Sequence, residues 1–446
     1  MAVNPSERPQ GTRAYLGPEK LLEKKKEYLI PCVYHFYEHP PQIVRGAGKH
    51  LYDSEGREYL DFFAGVSVVN CGHCHPEIIE ALVEQARTLQ HTTTIYLTQP
   101  MLDLAERLAR LTPGDLKRSF FCSSGTEANE TAVLLAKLAT GKTEVLSLRN
   151  GLHGRTQLAM SLTGMAFWRT DPAPVGGITF APSAYCYRCA LGRTYPSCDV
   201  ACAREVENVV RTSTSGRVAA LIAEPIQGNG GIITPPPEYF PRVREILDRL
   251  GMLLIIDEVQ TGFGRTGKWF AIEHWGVTPD IMTMAKALAN GQPVGAVIVT
   301  DRVAQAYTRP GSSTLGGNPV TATTALATLD VLEKYDLPGN AARLGPYLRE
   351  GLERVAARHR LVGDVRGIGL MQGMELVKDK GDPAKEPAPE ATDAVLERMK
   401  DRGFLIGKNG FSRNVLAFQP PLIIDRDDVD RMVAALDEVL SEVEAE

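Results

Sequence analysis

The chain has 446 residues, of which 43% are apolar and 23% charged, and its formal net charge is −5. These values are typical of a soluble protein long enough for roughly two or three domains, and the weakly acidic balance gives no general attraction to nucleic acid. No stretch reaches the roughly 18 consecutive apolar residues of a membrane span, and no apolar secretory segment follows the polar residues 1–11.

Residues 1–70 predict an N-terminal arm that forms part of a small domain, with short strands at 49–52 and 58–62. Residues 71–330 alternate between helical and strand patterns. The predicted helices of this stretch are 76–89, 126–138 and 239–250, and the predicted strands are 144–148, 218–223, 253–256, 281–284 and 294–300. The alternation predicts an α/β large domain with a mostly parallel sheet covered on both faces.

Residues 331–446 predict a smaller α+β domain at the C-terminus. Two long helices end near residue 360, and strand patterns follow within 361–377. The remaining elements are a helix at 391–402, strands at 404–406 and 415–418, and a helix at 427–443. The Pro- and Lys-containing stretch 378–389 is typical of a loop or hinge.

Chemically informative residues follow three predicted strands of the large domain, where ligands of open α/β sheets bind. They are Glu224, Asp257 and Lys286. Lys286 lies among apolar residues, and desolvation would lower the pKa of its amine and favour Schiff-base chemistry. The alternatives are a surface lysine and, for Asp257, a helix cap or a structural ion pair.

A phosphate site is predicted where Ser124, Gly125 and Thr126 open a helix, because free backbone N–H groups and the helix dipole favour an anion there. A plain helix cap would give the same pattern. The stretch Gly262–Gly267 matches the dinucleotide fingerprint G-x-G-x-x-G, which keeps a nicotinamide dehydrogenase as an alternative. However, this match neither follows a strand directly nor precedes a good helix start.

Together these motifs resemble the class III pyridoxal-phosphate-dependent aminotransferases of fold type I. The resemblance covers the chain from about residue 30 to its end. The stretches that carry it are GHCHP (72–76), SGTEANE (124–130), EPIQG (224–228), DEVQTGFGRTG (257–267) and TLGGNP (314–319), and Lys286 lies between the last two. The resemblance implies a seven-stranded large-domain sheet and pyridoxal 5′-phosphate as the cofactor.

The resemblance also implies roles for individual residues. Lys286 would hold the cofactor covalently and move protons, Asp257 would pair with the ring nitrogen, and Gln260 would hydrogen-bond the phenolic oxygen. Thr314 would reach the phosphate of the partner subunit, which implies an obligate homodimer or a tetramer. The other cofactor-binding positions are Ser124, Gly125, Thr126, Leu152, His153 and Glu224.

Arg155 resembles a position that binds the substrate carboxylate in acetylornithine-type members, and a surface ion pair is its alternative. Members that use 2-oxoglutarate carry a glutamate and an arginine where this chain has Asn229 and Ala417. Both charges are absent together, which leaves no stranded charge. The stretches 363–370 and 280–286 resemble the alanine–glyoxylate and omega-amino acid–pyruvate branch.

We therefore predict amino transfer from an amino acid, an omega- or beta-amino acid or an amine to pyruvate or glyoxylate. An aminotransferase of the 4-aminobutyrate or acetylornithine type that uses 2-oxoglutarate is the alternative. A racemase or phospho-lyase that uses the same cofactor also stays open, because one fold hosts many reactions. The sequence predicts no nucleic-acid or membrane partner.

The eight cysteines are few for a secreted disulfide scaffold and, without an export signal, predict a cytoplasmic location. Half of them form the cluster Cys186-x2-Cys189-x8-Cys198-x3-Cys202. This spacing is compatible with a structural zinc site, with disulfides, or with reduced thiols in an insertion. No second signal supports a metal, so we predict none and keep the four thiols as candidate ligands only.

Overall fold

The computed structural model describes residues 14–446. Its helices are α1 (Pro18–Tyr28), α2 (Ala64–Ser67), α3 (Pro76–Thr88), α4 (Gln99–Leu111), α5 (Gly125–Thr140), α6 (Gln157–Leu162), α7 (Ala201–Ser213), α8 (Tyr239–Leu250), α9 (Asp301–Ala304), α10 (Pro319–Lys334), α11 (Leu337–Arg358), α12 (Pro389–Asp401) and α13 (Arg426–Ala445). None of these helices combines the length and the apolar composition needed to cross a lipid bilayer.

The strands form three sheets. They are β1 (Ile43–Ala47), β2 (His50–Asp53), β3 (Glu58–Asp61), β4 (Arg118–Cys122), β5 (Glu144–Leu148), β6 (Ile178–Ala181), β7 (Val218–Ala223), β8 (Leu253–Asp257), β9 (Ile281–Met284), β10 (Gly295–Val299), β11 (Val362–Ile368), β12 (Met371–Leu376), β13 (Phe404–Leu405), β14 (Gly407–Asn409) and β15 (Val415–Phe418).

The central sheet has seven strands in the order β4-β10-β9-β8-β7-β5-β6. All strands run in the same direction except β10, which pairs antiparallel with both β4 and β9. Successive residues of β8 enter two different apolar clusters, with Leu253 and Ile255 on one face and Leu254 and Ile256 on the other. Both faces are therefore covered, which confirms the predicted mostly parallel α/β sheet.

Two four-stranded sheets flank this unit. The first joins β1, β2 and β3 of the N-terminal arm to β13, which pairs parallel with β3. The second contains β11, β12, β15 and β14 and is antiparallel. The N-terminal strands and a C-terminal strand thus share one sheet.

The glycine-rich stretch Gly262–Gly267 forms a buried turn, and only a short 3₁₀ turn, Ala271–Trp275, follows it. Arg265 within it is fully buried and donates hydrogen bonds to the carbonyl oxygens of Leu370, at 3.0 Å, and of Pro420. A dinucleotide fingerprint must instead open a helix and expose its backbone to a phosphate. The stretch packs two parts of the fold together, and the dehydrogenase alternative loses its only support.

Candidate active site

The carboxyl ends of three neighbouring strands meet at one cavity of about 350 Å³. Asp257 ends β8, Glu224 follows β7, and Lys286 follows β9. All the predicted site residues line this cavity except Thr314, which is exposed on the loop before α10. Those that line it are Ser124, Gly125, Thr126, Leu152, His153, Arg155, Glu224, Asp257, Gln260 and Lys286.

One wall of the cavity is the N-terminus of α5. Ser124 is the N-cap of this helix, and its hydroxyl accepts a hydrogen bond from the backbone N–H of Glu127 at 3.2 Å. A Cβ atom added at Gly125 would lie 2.8 Å from a methyl carbon of Val259, so a side chain there would force Val259 to move. The Ser124 hydroxyl therefore serves as the cap, and the open helix end next to Gly125 remains available for an anion.

Asp257 lies at the bottom of the cavity and is 3% exposed. Its Oδ2 accepts hydrogen bonds from Nδ2 of Asn129, at 2.7 Å, and from Nδ1 of His153, at 2.8 Å. Its Oδ1 accepts from the backbone N–H of Val259 at 3.0 Å. These three donors fix the orientation of the carboxylate, and they explain why a charged group is tolerated at the end of an apolar strand.

Lys286 opens a 3₁₀ turn, and its backbone φ is +48°. This left-handed conformation is unfavourable for a residue with a long side chain and is often found at functional sites. Burial lowers the pKa of Lys286, while the negative charges of Asp257 and Glu224 act in the opposite direction. The neutral, nucleophilic fraction of this amine is therefore larger than that of a solvent-exposed lysine at the same pH.

Glu224 is 5% exposed, and burial raises its pKa to about 7. Its two carboxylate oxygens accept hydrogen bonds from the backbone N–H groups of Leu152 and Gly228, each at 2.9 Å. The side chain thus connects the segment that contains Leu152 and His153 to the loop after β7. Glu224 therefore forms part of the wall of the cavity and holds two segments of that wall together.

Two buried polar atoms in this site have no hydrogen-bond partner within residues 14–446. They are Nε2 of Gln260 and Nε2 of His153. Orphaned buried polar groups are rare and need an explanation, and a polar ligand in the cavity would provide one for Gln260. A Cβ atom at Gly228 would overlap the side-chain amide of Gln260, so the absence of a side chain at position 228 leaves room for this amide.

The residues therefore fit pyridoxal 5′-phosphate. A buried amine, a fixed carboxylate, an unpaired amide donor and a helix N-terminus surround one cavity. The cofactor needs a partner of each kind, for its aldehyde, ring nitrogen, phenolic oxygen and phosphate respectively.

Asn229 and Ala417 are the neutral residues at the two positions where 2-oxoglutarate-using members are expected to carry charged ones. Oδ1 of Asn229 accepts a hydrogen bond from the indole N–H of Trp168 at 2.7 Å, and its carbonyl oxygen accepts from Gly410 N–H at 2.9 Å. Ala417 is fully buried on β15. The side chain of Asn229 is thus engaged in a hydrogen bond between two neutral groups, its own amide and the indole of Trp168.

The cysteines of the cluster Cys186–Cys202 lie around a separate cavity of about 20 Å³. All four thiols are free. Among residues 14–446, no three His, Cys, Asp or Glu side chains are arranged to hold a metal ion. The four cysteines of the predicted cluster thus lie around one cavity as free thiols.

Sequence analysis missed several residues of the site. Asn129, Val259 and Gln292 line the cavity, and Thr283 contacts Asn129 from β9. Helical periodicity could have indicated Asn129, because it lies one turn after Gly125 on the same face of α5. Thr283 gave no signal, since its contact depends on how α5 crosses the sheet.

Comparisons with known proteins agree with this geometry. The family model described as "Aminotransferase class-III" matches residues 35–440. The chain is 42% identical over 432 residues to alanine–glyoxylate aminotransferase 2 homolog 2, mitochondrial, of Arabidopsis thaliana, covering 96% of this chain and 89% of that protein. It is 38% identical to acetylornithine aminotransferase of Methanocaldococcus jannaschii, covering 96% of this chain and all (100%) of that protein.

A solved structure shows the same fold. It is a thermostable (S)-enantioselective omega-transaminase from Thermomicrobium roseum, which superposes with a TM-score of 0.89 at 35% identity. The match covers 97% of this chain and 100% of that one.

Proposed function

The chain belongs to the class III aminotransferases, and we propose that it moves an amino group from an amino acid, an omega- or beta-amino acid or an amine to pyruvate or glyoxylate. The observation that carries the proposal is the cavity in which Lys286 and Asp257 meet, together with the neutral residues at positions 229 and 417. The cavity supports the type of reaction, and the neutral residues at positions 229 and 417 support the choice of acceptor.

Pyridoxal phosphate, when bound, supplies an aldehyde that carries the amino group and a ring that accepts electrons from the substrate carbon. Lys286 would hold this aldehyde through Nζ and, when its amine is free, would take the proton of the substrate carbon and deliver it to the cofactor. Apolar side chains such as Leu152 and Val259 line the same cavity as Lys286.

Other residues would hold the cofactor in place. Asp257 would pair with the ring nitrogen, Gln260, whose Nε2 has no other partner, would donate to the phenolic oxygen, and the N-terminus of α5 would bind the phosphate at Gly125 and Thr126. Leu152 would cover the ring with an apolar surface instead of an aromatic one. Arg155, exposed at the rim of the cavity, binds a substrate carboxylate.

The choice of acceptor rests on a missing clamp. In 2-oxoglutarate-using members, as the resemblance implies, an arginine binds the α-carboxylate of glutamate, and Ala417 cannot do so. A hydrogen bond to a charged group contributes about 1.5–3 kcal/mol, which corresponds to roughly a 10- to 100-fold difference in kcat/KM. 2-Oxoglutarate carries two carboxylates and needs a cationic contact for each, whereas pyruvate and glyoxylate carry one, which Arg155 alone would be enough to bind.

A panel of amino donors tested with pyruvate, glyoxylate and 2-oxoglutarate examines this proposal. We expect kcat/KM for pyruvate or glyoxylate to exceed that for 2-oxoglutarate by roughly 10-fold or more. A clear preference for 2-oxoglutarate would contradict the assignment of Asn229 and Ala417. If the cofactor-loaded protein transferred no amino group to any acceptor but inverted the donor's stereocentre, it would be a racemase.

The second candidate is an acetylornithine- or 4-aminobutyrate-type enzyme that uses 2-oxoglutarate. The identity of 38% with the Methanocaldococcus jannaschii acetylornithine aminotransferase and the position of Arg155 favour it. The same panel separates the two candidates. An Arg155→Ala variant would then lose activity with dicarboxylic acceptors first.

We further propose that the protein is an obligate homodimer, or a dimer of dimers, in which Thr314 reaches the phosphate of the partner subunit. Apolar side chains are strongly exposed on the loop that contains Thr314 and on the loop before α4: Leu315 is 56%, Ile95 82% and Leu97 88% exposed. Large exposed apolar side chains of this kind are typical of a protein–protein interface. The cytoplasmic location expected from the sequence stays a prediction.

The dimer can be tested by light scattering. We expect the wild-type protein to have two or four times the mass of one chain, and Leu97→Asp to shift it toward the monomer with loss of bound cofactor, because a charge would be buried in the interface. Leu16→Asp, at an exposed leucine near α1, serves as the control. A monomeric wild-type protein that retains full activity would contradict this proposal.

A further inference from the structure

Asn129 is a buried residue of α5 whose side chain makes contacts in three directions. It is 1% exposed. Its Nδ2 donates to Oδ2 of Asp257 at 2.7 Å and to the backbone carbonyl oxygen of His153 at 2.8 Å. Both N–H groups of the amide are therefore in use, and one of them points directly at the carboxylate of the site.

Thr283 fixes the orientation of this amide. Its hydroxyl donates to Oδ1 of Asn129 at 2.7 Å, so the oxygen of the amide faces Thr283 and the nitrogen faces Asp257. Thr283 is fully buried on β9, directly opposite Asp257 of β8 in the parallel ladder. A chain of hydrogen bonds thus runs from β9 through α5 to Oδ2 of Asp257.

The same helix carries the predicted phosphate site. Asn129 lies one turn after Gly125, so a single rigid segment holds the helix N-terminus and one of the donors to Asp257. The distance between a phosphate-binding point and a ring-nitrogen partner is fixed in a rigid cofactor. A residue that ties α5 to Asp257 would keep the protein matched to that distance.

We propose that Asn129, oriented by Thr283, is a positioning residue that holds the carboxylate of Asp257 in the orientation that would serve the ring nitrogen of the cofactor. This inference rests on the proposed function, because it concerns how the cofactor is held. His153 holds the same oxygen from another side through Nδ1, at 2.8 Å. Asn129 and His153 together define where Oδ2 lies, and Asn129 is the partner whose orientation depends on β9.

The clearest test compares Thr283→Val with Thr283→Ser in the full-length protein. Valine has nearly the same shape but no hydroxyl, whereas serine keeps the donor to Asn129. Affinity for pyridoxal 5′-phosphate is measured by quenching of tryptophan fluorescence in the cofactor-free protein. The pH dependence of the visible absorption is measured in the loaded protein, and the thermal midpoint is recorded for both forms.

We expect Thr283→Val to bind the cofactor several-fold more weakly than wild type and to shift the pH at which the visible absorption changes, with Thr283→Ser close to wild type. Asn129→Ala removes the donor itself and should weaken binding by roughly 10- to 100-fold, by analogy with the loss of residues that orient metal ligands. Thr324→Val is the matched control, since Thr324 is equally buried but donates only to the backbone of α10.

The inference is wrong if Thr283→Val and Asn129→Ala bind the cofactor and titrate like wild type, even if their thermal midpoints fall. If Asn129→Ala does not fold, the comparison of valine with serine at position 283 decides alone. If wild-type protein does not bind the cofactor, the proposed function fails, and this outcome is distinct from equal binding by all variants.

Discussion

Replacement of Lys286 with alanine is expected to reduce amino transfer by a factor on the order of 10⁴ or more, and to leave the cofactor only loosely bound. The amine of Lys286 is expected to perform two tasks: it holds the aldehyde, and it moves the proton of the substrate carbon. General acid–base catalysis alone contributes roughly 10²- to 10⁴-fold. The remaining factor comes from the lost covalent attachment.

The measurement combines single-turnover rates with the visible absorption of the protein after gel filtration. Wild type should keep its bound cofactor and its colour, and Lys286→Ala should lose both. Lys20→Ala, at an exposed lysine of α1, controls for the loss of a lysine in general. Activity of Lys286→Ala within tenfold of wild type would contradict the role of this residue.

The backbone strain at Lys286 predicts the behaviour of a second variant, Lys286→Gly. The φ of +48° at Lys286 costs free energy in a residue with a β-carbon, so the fold retains the conformation against local preference. A Lys286→Gly variant relieves this strain and also removes a buried amine. We expect it to raise the thermal midpoint of the cofactor-free protein while abolishing activity, as differential scanning fluorimetry would show.

The sequence predicted the parts of the site that depend on local patterns. Asp257 and Lys286 follow apolar strand runs, and parallel strands bring their carboxyl ends to one edge, so their meeting at one cavity could be expected. Gly125 is the first residue of α5, and a side chain at this position would clash with Val259. The resemblance to a known family supplied the cofactor and the role of Gln260.

The rest depends on contacts between residues far apart in the chain. Strand β6, at one edge of the sheet, is short and partly exposed, so its pattern was weak. Asn129 and Thr283 are ordinary polar residues until α5 packs across β8 and β9. Trp168 could not be assigned to Asn229 either, because these residues are 61 positions apart and meet only in the folded chain.

Asp257→Asn is expected to lower kcat by a factor on the order of 10³, comparable to the loss of one preorganised electrostatic group in other enzymes. The substitution keeps the size of the side chain and removes its negative charge. The carboxylate faces the ring nitrogen in the proposed function, and its charge stabilises a proton there. Without that proton the ring accepts electrons poorly, so the removal of the substrate proton by Lys286 slows.

The hydrogen bonds around Asp257 add a second reason. Both oxygens of the carboxylate accept N–H donors, from Asn129 and His153 on Oδ2 and from Val259 on Oδ1. An asparagine has only one oxygen, so one of its N–H groups must face another donor. The amide is therefore poorly satisfied in either orientation, and part of the carboxylate's fixed geometry is lost as well.

Asp53→Asn is the matched control for this variant, because Asp53 is 7% exposed and also accepts several hydrogen bonds. Asp53 belongs to β2 in the first four-stranded sheet and does not line the cavity. Both variants remove a buried carboxylate, and only Asp257→Asn should change the rate of substrate deprotonation. A primary isotope effect on the deuterated donor should rise in Asp257→Asn, since proton removal becomes more rate-limiting. If the rate and the isotope effect were those of wild type, the charge at residue 257 would not act on the reaction.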